Sequence, residues 1–475
     1  MAEADDALAR RSAGPFPAAE TFLRPAGQPA FCGWQRWAVL AAFALIVILR
    51  LPNAWTHGRF LDEEATVFLA YAWHFPWVEA LFRPFAGYWN AAANASTVLA
   101  VQLIRGDLLT LERAPYFTMG VGLTFQLMPA ALILTGKASW LASRPAVIAA
   151  LLLIAIAPAT EEVFYNVLHI QLHLALCAAL ILAFAVPEKK SVRFGYGGLL
   201  FLAPLSGLGA IVLLPLFLLR ALADREPGRF FQAASLAAGS AVQLFIFLGS
   251  STVRGQLLDI PSLAAAMFVR MILLPMFGPD YATIVGFGLA DFDGFRSSLI
   301  WAFAAALVLL FGALLLFAMQ RRDGAVWLLL SSFSITAMSL GGGMVGAYNS
   351  AFHVYAGERY NFLPVVLLGL TIVVIAAREQ GRGKYVWRAI CSWLILIGAL
   401  NYPRPHSVFF ANGPSWPTEV QKWRSDRRHP LAVWPRPWTA DLSNESKPCS
   451  PPSQPVRKSN EPRYCESGWM KSFSK

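Results

Sequence analysis

The sequence is poor in charged residues. They form only 14% of its 475 residues, whereas a soluble domain typically has about 25%. Hydrophobic residues make up 56% of the chain, and its mean hydropathy is +0.50. So few charges cannot cover the surface of a soluble fold of this length, and so many apolar residues exclude disorder for most of the chain. The composition therefore predicts an all-α polytopic membrane protein, for which 16 Trp and 34 Phe could supply interfacial belts.

Several functional motifs are also missing. The five Cys lack the paired spacing of a zinc or iron–sulfur site in the membrane region. Neither a Gly-x-x-x-x-Gly-Lys-Ser/Thr loop nor a Gly-x-Gly-x-x-Gly loop follows a strand, so the sequence gives no support for binding of a nucleotide or a nucleotide-linked substrate. There is no internal repeat of 20–50 residues, and a polar first segment gives no sign of a cleavable leader.

Apolar runs of about 20 residues predict the membrane spans. Nine single spans are predicted at 37–53, 115–136, 145–160, 166–186, 229–250, 297–319, 324–345, 360–377 and 385–402. The run 194–219 has basic residues at both ends and is interrupted by Pro204, Gly207 and Gly209. We interpret it as a hairpin of two short helices, which brings the prediction to eleven transmembrane helices.

The charges of the membrane block are sorted by side. With this topology the cytoplasmic segments of 34–402 hold 15 basic and 5 acidic residues, and the external segments hold 9 basic and 13 acidic residues. This positive-inside bias predicts a cytoplasmic N-terminus and a C-terminus outside the cytoplasm. It also explains the net charge of +11 without a nucleic-acid partner.

The chain then divides into a cytoplasmic segment 1–33, a transmembrane domain 34–402 and an extracytoplasmic tail 403–475. We expect the first half of the tail to fold back onto the external loops. Beyond about residue 443 we expect disorder, with a Cys449–Cys465 disulfide in the oxidising compartment.

Two external loops are long. In the first, 54–114, apolar residues at helical spacing over 67–82 predict an amphipathic interfacial helix, and a second helix is predicted at 95–105. In the second, 251–296, we expect Pro275 to break the apolar stretch 261–277, which makes it too short and interrupted to span. We predict that it is interfacial or re-entrant and does not span the membrane.

The run Leu61-Asp62-Glu63-Glu64 lies at the predicted membrane surface, directly after the first span. A carboxylate at this position could take a proton from an acceptor hydroxyl. The same residues could equally cap the amphipathic helix and fill its first turn. Both interpretations are open at this stage.

Four polar residues of the fourth predicted span have offsets of 0, 4, 7 and 11, which puts them on one helical stripe: Glu162, Asn166, His169 and His173. They could line a substrate cavity, or they could form hydrogen bonds between helices. The two His could bind a divalent cation with Glu162, although two firm ligands make a weak pattern and no metal ligand is assigned.

Near the start of the tenth predicted span lies Gly357-Glu358-Arg359-Tyr360. Arg359 is the best candidate for binding phosphate, with Tyr360 and His353 nearby. Arg270 is a weaker candidate. The alternative is that Arg359 and Tyr360 anchor a helix end, and that Arg270 extends to the lipid headgroups.

The order of these segments resembles the GT-C superfamily of membrane glycosyltransferases, in a bacterial branch. The shared features are one span, a large first external loop with two interfacial helices and an acidic motif, and then a series of spans. The resemblance implies an inverting transferase of the bacterial inner membrane, with a periplasmic C-terminus. It would move a sugar from a polyprenyl-phosphate donor to an extracytoplasmic acceptor. The resemblance implies Asp62 as the base, with Glu63 second. The partners that it implies are the polyprenyl-phosphate sugar donor and membrane lipid. It implies no certain cofactor. A transporter or flippase and a non-enzymatic envelope assembly factor are the alternatives.

Overall fold

The computed structural model describes residues 30–250, 258–291, 296–321, 324–344, 348–402 and 412–443, which form a mostly helical protein. The helices before residue 250 are α1 (Trp34–Leu49), α2 (Pro52–His57), α3 (Ala70–His74), α4 (Trp77–Phe82), α5 (Ala91–Arg105), α6 (Ala114–Thr135), α7 (Arg144–Ala155), α8 (Ile170–Ala183), α9 (Lys190–Ser206), α10 (Leu214–Asp224) and α11 (Pro227–Leu248).

The later elements are α12 (Ile260–Phe268), α13 (Leu274–Phe277), α14 (Pro279–Asp291), α15 (Arg296–Arg321), α16 (Ala325–Met338), α17 (Arg359–Arg378), α18 (Gly383–Asn401) and α19 (Trp416–Ser425), then the antiparallel strands β1 (Leu431–Ala432) and β2 (Thr439–Ala440). Single π turns are Glu64–Leu69, Val269–Leu273 and Ser339–Gly343; the 3₁₀ turns are Leu111–Arg113, Ser139–Ala142, Glu161–Val163, Leu208–Leu213 and Tyr348–Ala351.

Among the described helices, seven are long and apolar enough to cross a membrane: Leu111–Thr135, Pro227–Leu248, Ile260–Phe277, Ser298–Gln320, Ala325–Gly343, Arg359–Arg378 and Gly383–Asn401. Three shorter apolar helices, α1, α7 and α8, add to them. The class of all-α membrane protein is therefore supported. The count of eleven spans stays a prediction.

Hydrogen bonds define two ends of the helix bundle. At one end the Tyr402 hydroxyl donates to the carbonyl of Ile46, which joins the C-terminal ends of α18 and α1. At the other, the Ala185 amide donates to the carbonyl of Lys137, and Arg229 donates to that of Phe184. We call the first the site end and the second the opposite end. The basic loops around 137–144, 187–193 and 220–229 all meet at the opposite end, as the sequence predicts.

The hairpin predicted at 194–219 is present as α9 and α10, which are joined by the 3₁₀ turn after Gly207. Both of its outer ends lie at the opposite end of the bundle, because Arg229 reaches Phe184 and Gly228 packs on Val186. The helices α9 and α10 both pack against α11.

The second long external loop differs in detail from the prediction. A helical run continues from Ile260 to Phe277, because a π turn at Val269–Leu273 leads directly into α13. The predicted break at Pro275 is therefore wrong, and the run is long enough to span. Both ends of this helical run nevertheless lie at the site end of the bundle. Near the start of the run Leu263 packs against Gly341, and directly after its end Gly278 lies beside Asn401.

The amphipathic segment 67–82 is not one helix. The π turn Glu64–Leu69 continues into α3, and α4 starts only after the turn at Phe75-Pro76. The second helix, α5, is longer than predicted and begins at Ala91.

The tail covers this loop, as predicted. The Trp416 indole donates to the Leu111 carbonyl, and the Trp423 ring lies 6.0 Å from that of Trp73. The disorder expected beyond 443 and the Cys449–Cys465 bond concern residues outside the described part.

Candidate active site

The acidic run follows α2 and a sharp turn of the chain. Gly58 has a φ of +67° and Asp62 one of +39°, which for a non-glycine residue is an uncommon left-handed conformation. The residue that precedes the π turn is Glu63, and no side chain caps this turn. The alternative in which Asp62 caps the helix therefore lacks the hydrogen bond that it requires.

Asp62 is buried, with 4% of its surface exposed, and its Oδ1 atom has no hydrogen-bond partner within the described chain. Burial and the neighbouring carboxylate of Glu63 raise the pKa of Asp62 well above its ordinary value. Glu63 is only partly buried, and burial raises its pKa although the guanidinium of Arg359 opposes the shift. A buried carboxyl group therefore lies beside a more accessible one.

Glu64 has a supporting position beneath this pair. It is fully buried, and its Oε2 atom accepts a hydrogen bond of 3.1 Å from the Leu61 amide. Burial raises its pKa to about 7, against the effect of that hydrogen bond. Arg59 is equally buried, and it donates to the carbonyl of Phe164, which connects the acidic loop to the segment before α8.

The segment 161–169 does not form the helix that the polar stripe requires. After the 3₁₀ turn Glu161–Val163 the chain is irregular, and α8 begins only at Ile170. Tyr165 has a φ of +35° and its hydroxyl donates to the carbonyl of Val47, which draws the chain away from a helical path. The prediction that these residues share one helical stripe is therefore wrong. The hydrogen bond from the Tyr165 hydroxyl to α1 overrides the helical periodicity of the sequence.

The side chains of the stripe nevertheless come together by another route. Asn166 donates to the carbonyl of Glu162 at 2.9 Å and accepts from the His169 amide at 2.9 Å. The Nδ1 atom of His169 lies 3.0 Å from Asn166 Oδ1, and its Nε2 lies 3.6 Å from Glu162.

His173 lies one turn farther along α8. Its Nε2 atom is 3.4 Å from the carbonyl of Val163, and its ring packs on Phe362 at 5.2 Å. Asn166, His169 and His173 are each about 1% exposed. The hydrogen-bond partners of these side chains among the described residues are protein groups, which is consistent with the alternative of hydrogen bonding within the bundle.

Glu162 and Arg359 form the centre of the cluster. The Glu162 carboxylate accepts from the Arg359 amide at 3.0 Å and also from its guanidinium. Burial opposes the charge on Glu162, yet Arg359 and His169 keep its pKa below the ordinary value. Arg359 retains 36% exposure of its side chain, and its guanidinium lies 5.2 Å from the ring of Tyr360. Glu162 therefore orients a cation that still faces solvent.

Sequence reasoning missed the second layer of charges. Glu161 pairs with Arg50 at 3.1 Å in a fully buried ion pair. Glu358 accepts from the Glu162 amide at 3.3 Å, and burial and the charge of Glu161 raise its pKa well above the ordinary value. The signal that could have revealed them is adjacency, because Glu161-Glu162 and Glu358-Arg359 are doublets that meet across the bundle.

Arg270 and His353, both predicted to contact substrate, have contacts with protein groups in the described part of the chain. The guanidinium of Arg270 is fully buried, and its donors are used by five backbone carbonyls between residues 350 and 357 and by the side chain of Asn361. One of these carbonyls belongs to His353, whose ring packs on Phe287 at 4.1 Å. The donors of Arg270 are thus directed at protein groups, through which Arg270 organises the segment before Arg359. Its contact with phosphate stays a prediction. Tyr360 donates to the carbonyl of Gly343 at 3.1 Å and helps to hold the same segment.

No group of three His, Cys, Asp or Glu side chains in the described ranges is arranged to hold a metal ion. The divalent cation considered for Glu162, His169 and His173 therefore has no support from this geometry.

In comparisons with known proteins, no family model, no curated protein and no solved structure matches the chain.

Proposed function

We propose that the chain is a membrane glycosyltransferase of the inverting type, which moves a sugar from a polyprenyl-phosphate donor to an extracytoplasmic acceptor. The observation that carries the proposal is the convergence of Asp62 and Glu63 with a solvent-facing Arg359 at one end of an apolar helical bundle. The reaction needs such a pair, since a base must take the acceptor proton while a cation neutralises the departing phosphate.

The carboxylates suit the first role. A carboxyl group with a raised pKa is a stronger base when it is ionised, and Asp62 and Glu63 both have raised pKa values. Asp62 retains first rank because its buried position and left-handed backbone are costly features that caps do not require.

Arg359 suits the second role. Glu162 binds one edge of its guanidinium and fixes its direction, and the exposed remainder is available to phosphate oxygens. Bidentate recognition by arginine is a common mode of phosphate binding in proteins.

The test compares lipid-linked sugars by mass spectrometry in the source bacterium with and without the chain. A transferase predicts that one polyprenyl-phosphate sugar accumulates in the deletion strain and returns to its native level with the intact chain. Unchanged lipid-linked sugars would refute this reaction. Accumulation confined to the cytoplasmic leaflet would favour a flippase instead.

A further inference from the structure

The tail contacts the acidic loop at its most unusual residue. The Trp434 amide donates to the carbonyl of Phe60 at 3.0 Å, and the Asp62 amide donates to the carbonyl of Trp434 at 2.6 Å. These two hydrogen bonds form a parallel bridge between Leu61 and Trp434. We call this pair of hydrogen bonds the Trp434 bridge.

The bridge acts on a residue whose conformation needs support. A non-glycine residue with a φ of +39° keeps that conformation only if its surroundings enforce it. The amide of Asp62 is held by the tail, and its carbonyl accepts from the amide and hydroxyl of Thr66 at 3.4 and 3.1 Å. Asp62 is therefore fixed from both sides, and on its N-terminal side the partner comes from the tail.

The indole of Trp434 determines where the bridge lies. It is 1% exposed, and its Nε1 donates to the carbonyl of Pro414 at 2.8 Å. One face rests on Gly413, where an added Cβ atom would come within 2.3 Å of the ring. Only glycine permits this contact, so the segment before α19 and the indole fit as one unit. The guanidinium of Arg59, which lies under the acidic loop, is 5.9 Å from the indole.

The rest of the tail segment 412–443 is anchored to the same loop. The Trp416 ring meets that of Phe60 edge-on at 4.7 Å, Arg424 pairs with Glu112 at 2.9 Å, and His74 lies 3.0 Å from the carbonyl of Asp441. The tail thus follows the loop along its length and reaches Asp62 at Trp434.

We infer that the tail segment 412–443 completes the candidate active site and that Trp434 is a positioning residue, which holds Asp62 in its left-handed conformation through the Trp434 bridge. The role in turnover rests on the proposed function, whereas the bridge itself does not. Displacement of the indole should free the Asp62 amide and misplace its carboxylate without removal of any reacting group.

The experiment compares the full-length chain in nanodiscs with the variants Gly413→Ala and Trp434→Phe. Gly413→Ala forces the indole to move, and Trp434→Phe removes only its hydrogen bond to Pro414. Gly195→Ala is the matched glycine control, since no atom lies within 4 Å of the added Cβ atom, and Trp423→Phe is the matched tryptophan control, since its indole N–H has no partner among the described residues.

The first readout is amide hydrogen exchange of the peptide that covers residues 59–66. We expect faster exchange in Gly413→Ala, a smaller increase in Trp434→Phe, and native rates in both controls. The second readout is sugar transfer, in which kcat should fall by about tenfold to a hundredfold in Gly413→Ala while KM for the acceptor stays within about twofold. A structural loss alone would lower the amount of active protein and would not accelerate exchange in this peptide selectively.

The outcomes separate the two claims. Native exchange in Gly413→Ala would overturn the inference, and so would faster exchange with an unchanged kcat. Faster exchange in this peptide, with no transfer by the native chain, would support the bridge and refute the proposed reaction.

Discussion

Individual residues in this protein differ chiefly in what burial does to their charge. Glu162 is buried and paired with Arg359, so it keeps its charge, whereas Glu358 is buried beside other carboxylates and has a raised pKa. Burial likewise raises the pKa values of Asp62 and Glu63, although the guanidinium of Arg359 opposes both shifts. The sequence predicts which residues are acidic and their order along the chain, but it does not predict these partners, because the partners come from distant segments.

Glu64 gives a prediction for pH. Its carboxyl titrates near 4.5 when unfolded and near 7 when folded, so between these values the folded chain holds a proton that the unfolded chain releases. The free energy of unfolding should therefore fall as the pH rises from about 4.5 to about 7, by up to about 3 kcal/mol from this group. Glu64→Gln cannot titrate and retains an acceptor for the Leu61 amide.

The measurement is chemical unfolding of the native and Glu64→Gln chains in detergent at pH 4.5, 6 and 8. The free energy of unfolding of the native chain, minus that of the variant, should decrease from pH 4.5 to pH 6 and again to pH 8, where the change is nearly complete. A constant difference at all three pH values would show that Glu64 does not hold this proton.

At the scale of elements, the irregular segment 161–169 depends on one helix surface. A Cβ atom at Gly122 of α6 would lie 2.7–2.9 Å from three backbone atoms of Asn166, whereas at Gly120 it would meet nothing within 4 Å. Gly122→Ala should therefore push the segment away from α6 and separate Asn166 from Glu162 and His169. Gly120→Ala should be neutral, or more stable by up to about 1 kcal/mol from helix propensity.

Thermal unfolding and sugar transfer of the two variants test this point. Gly122→Ala should lose stability by about 1–3 kcal/mol, as overpacking does, and should lose most of its activity. If Gly122→Ala and Gly120→Ala behave alike, the close contact with Asn166 does not exist.

Helix positions were largely predictable from the sequence, and the paths between them were not. Apolar runs locate α6, α11 and α17, because a lipid-facing helix needs a long apolar sequence. Periodicity failed at 162–169, where the hydroxyl of Tyr165 bonds to α1, and at 67–82, where Pro76 interrupts the helix. The role of Arg270 was missed because its partners are backbone carbonyls, which leave no trace in the sequence.

At the scale of the whole molecule, the bundle separates its charges. The acidic run and Glu162 lie at the site end, and the basic loops that contain Lys137, Lys189 and Arg229 lie at the opposite end. The positive-inside rule predicts that the site end faces away from the cytoplasm.

Cysteine labelling in intact cells with a permeabilised outer membrane tests this orientation. In a chain whose five native Cys are replaced by Ser, Gln421→Cys in α19 should react with a membrane-impermeant maleimide. Lys189→Cys at the opposite end should react only after the inner membrane is opened. Labelling of Lys189→Cys before that step, with Gln421→Cys protected, would invert the topology and place the acidic loop in the cytoplasm.

The central claim is that Asp62 is the base of a glycosyl transfer. The most direct measurement compares the rate of transfer from a polyprenyl-phosphate sugar by the native chain, Asp62→Asn and the exposed tail control Asp426→Asn, all reconstituted at equal protein levels. If Asp62 is the base, Asp62→Asn should lose at least about 100-fold in rate, because general-base catalysis contributes about 10²–10⁴-fold. It should keep the native fold, and Asp426→Asn should keep the native rate. A native rate in Asp62→Asn would contradict the account.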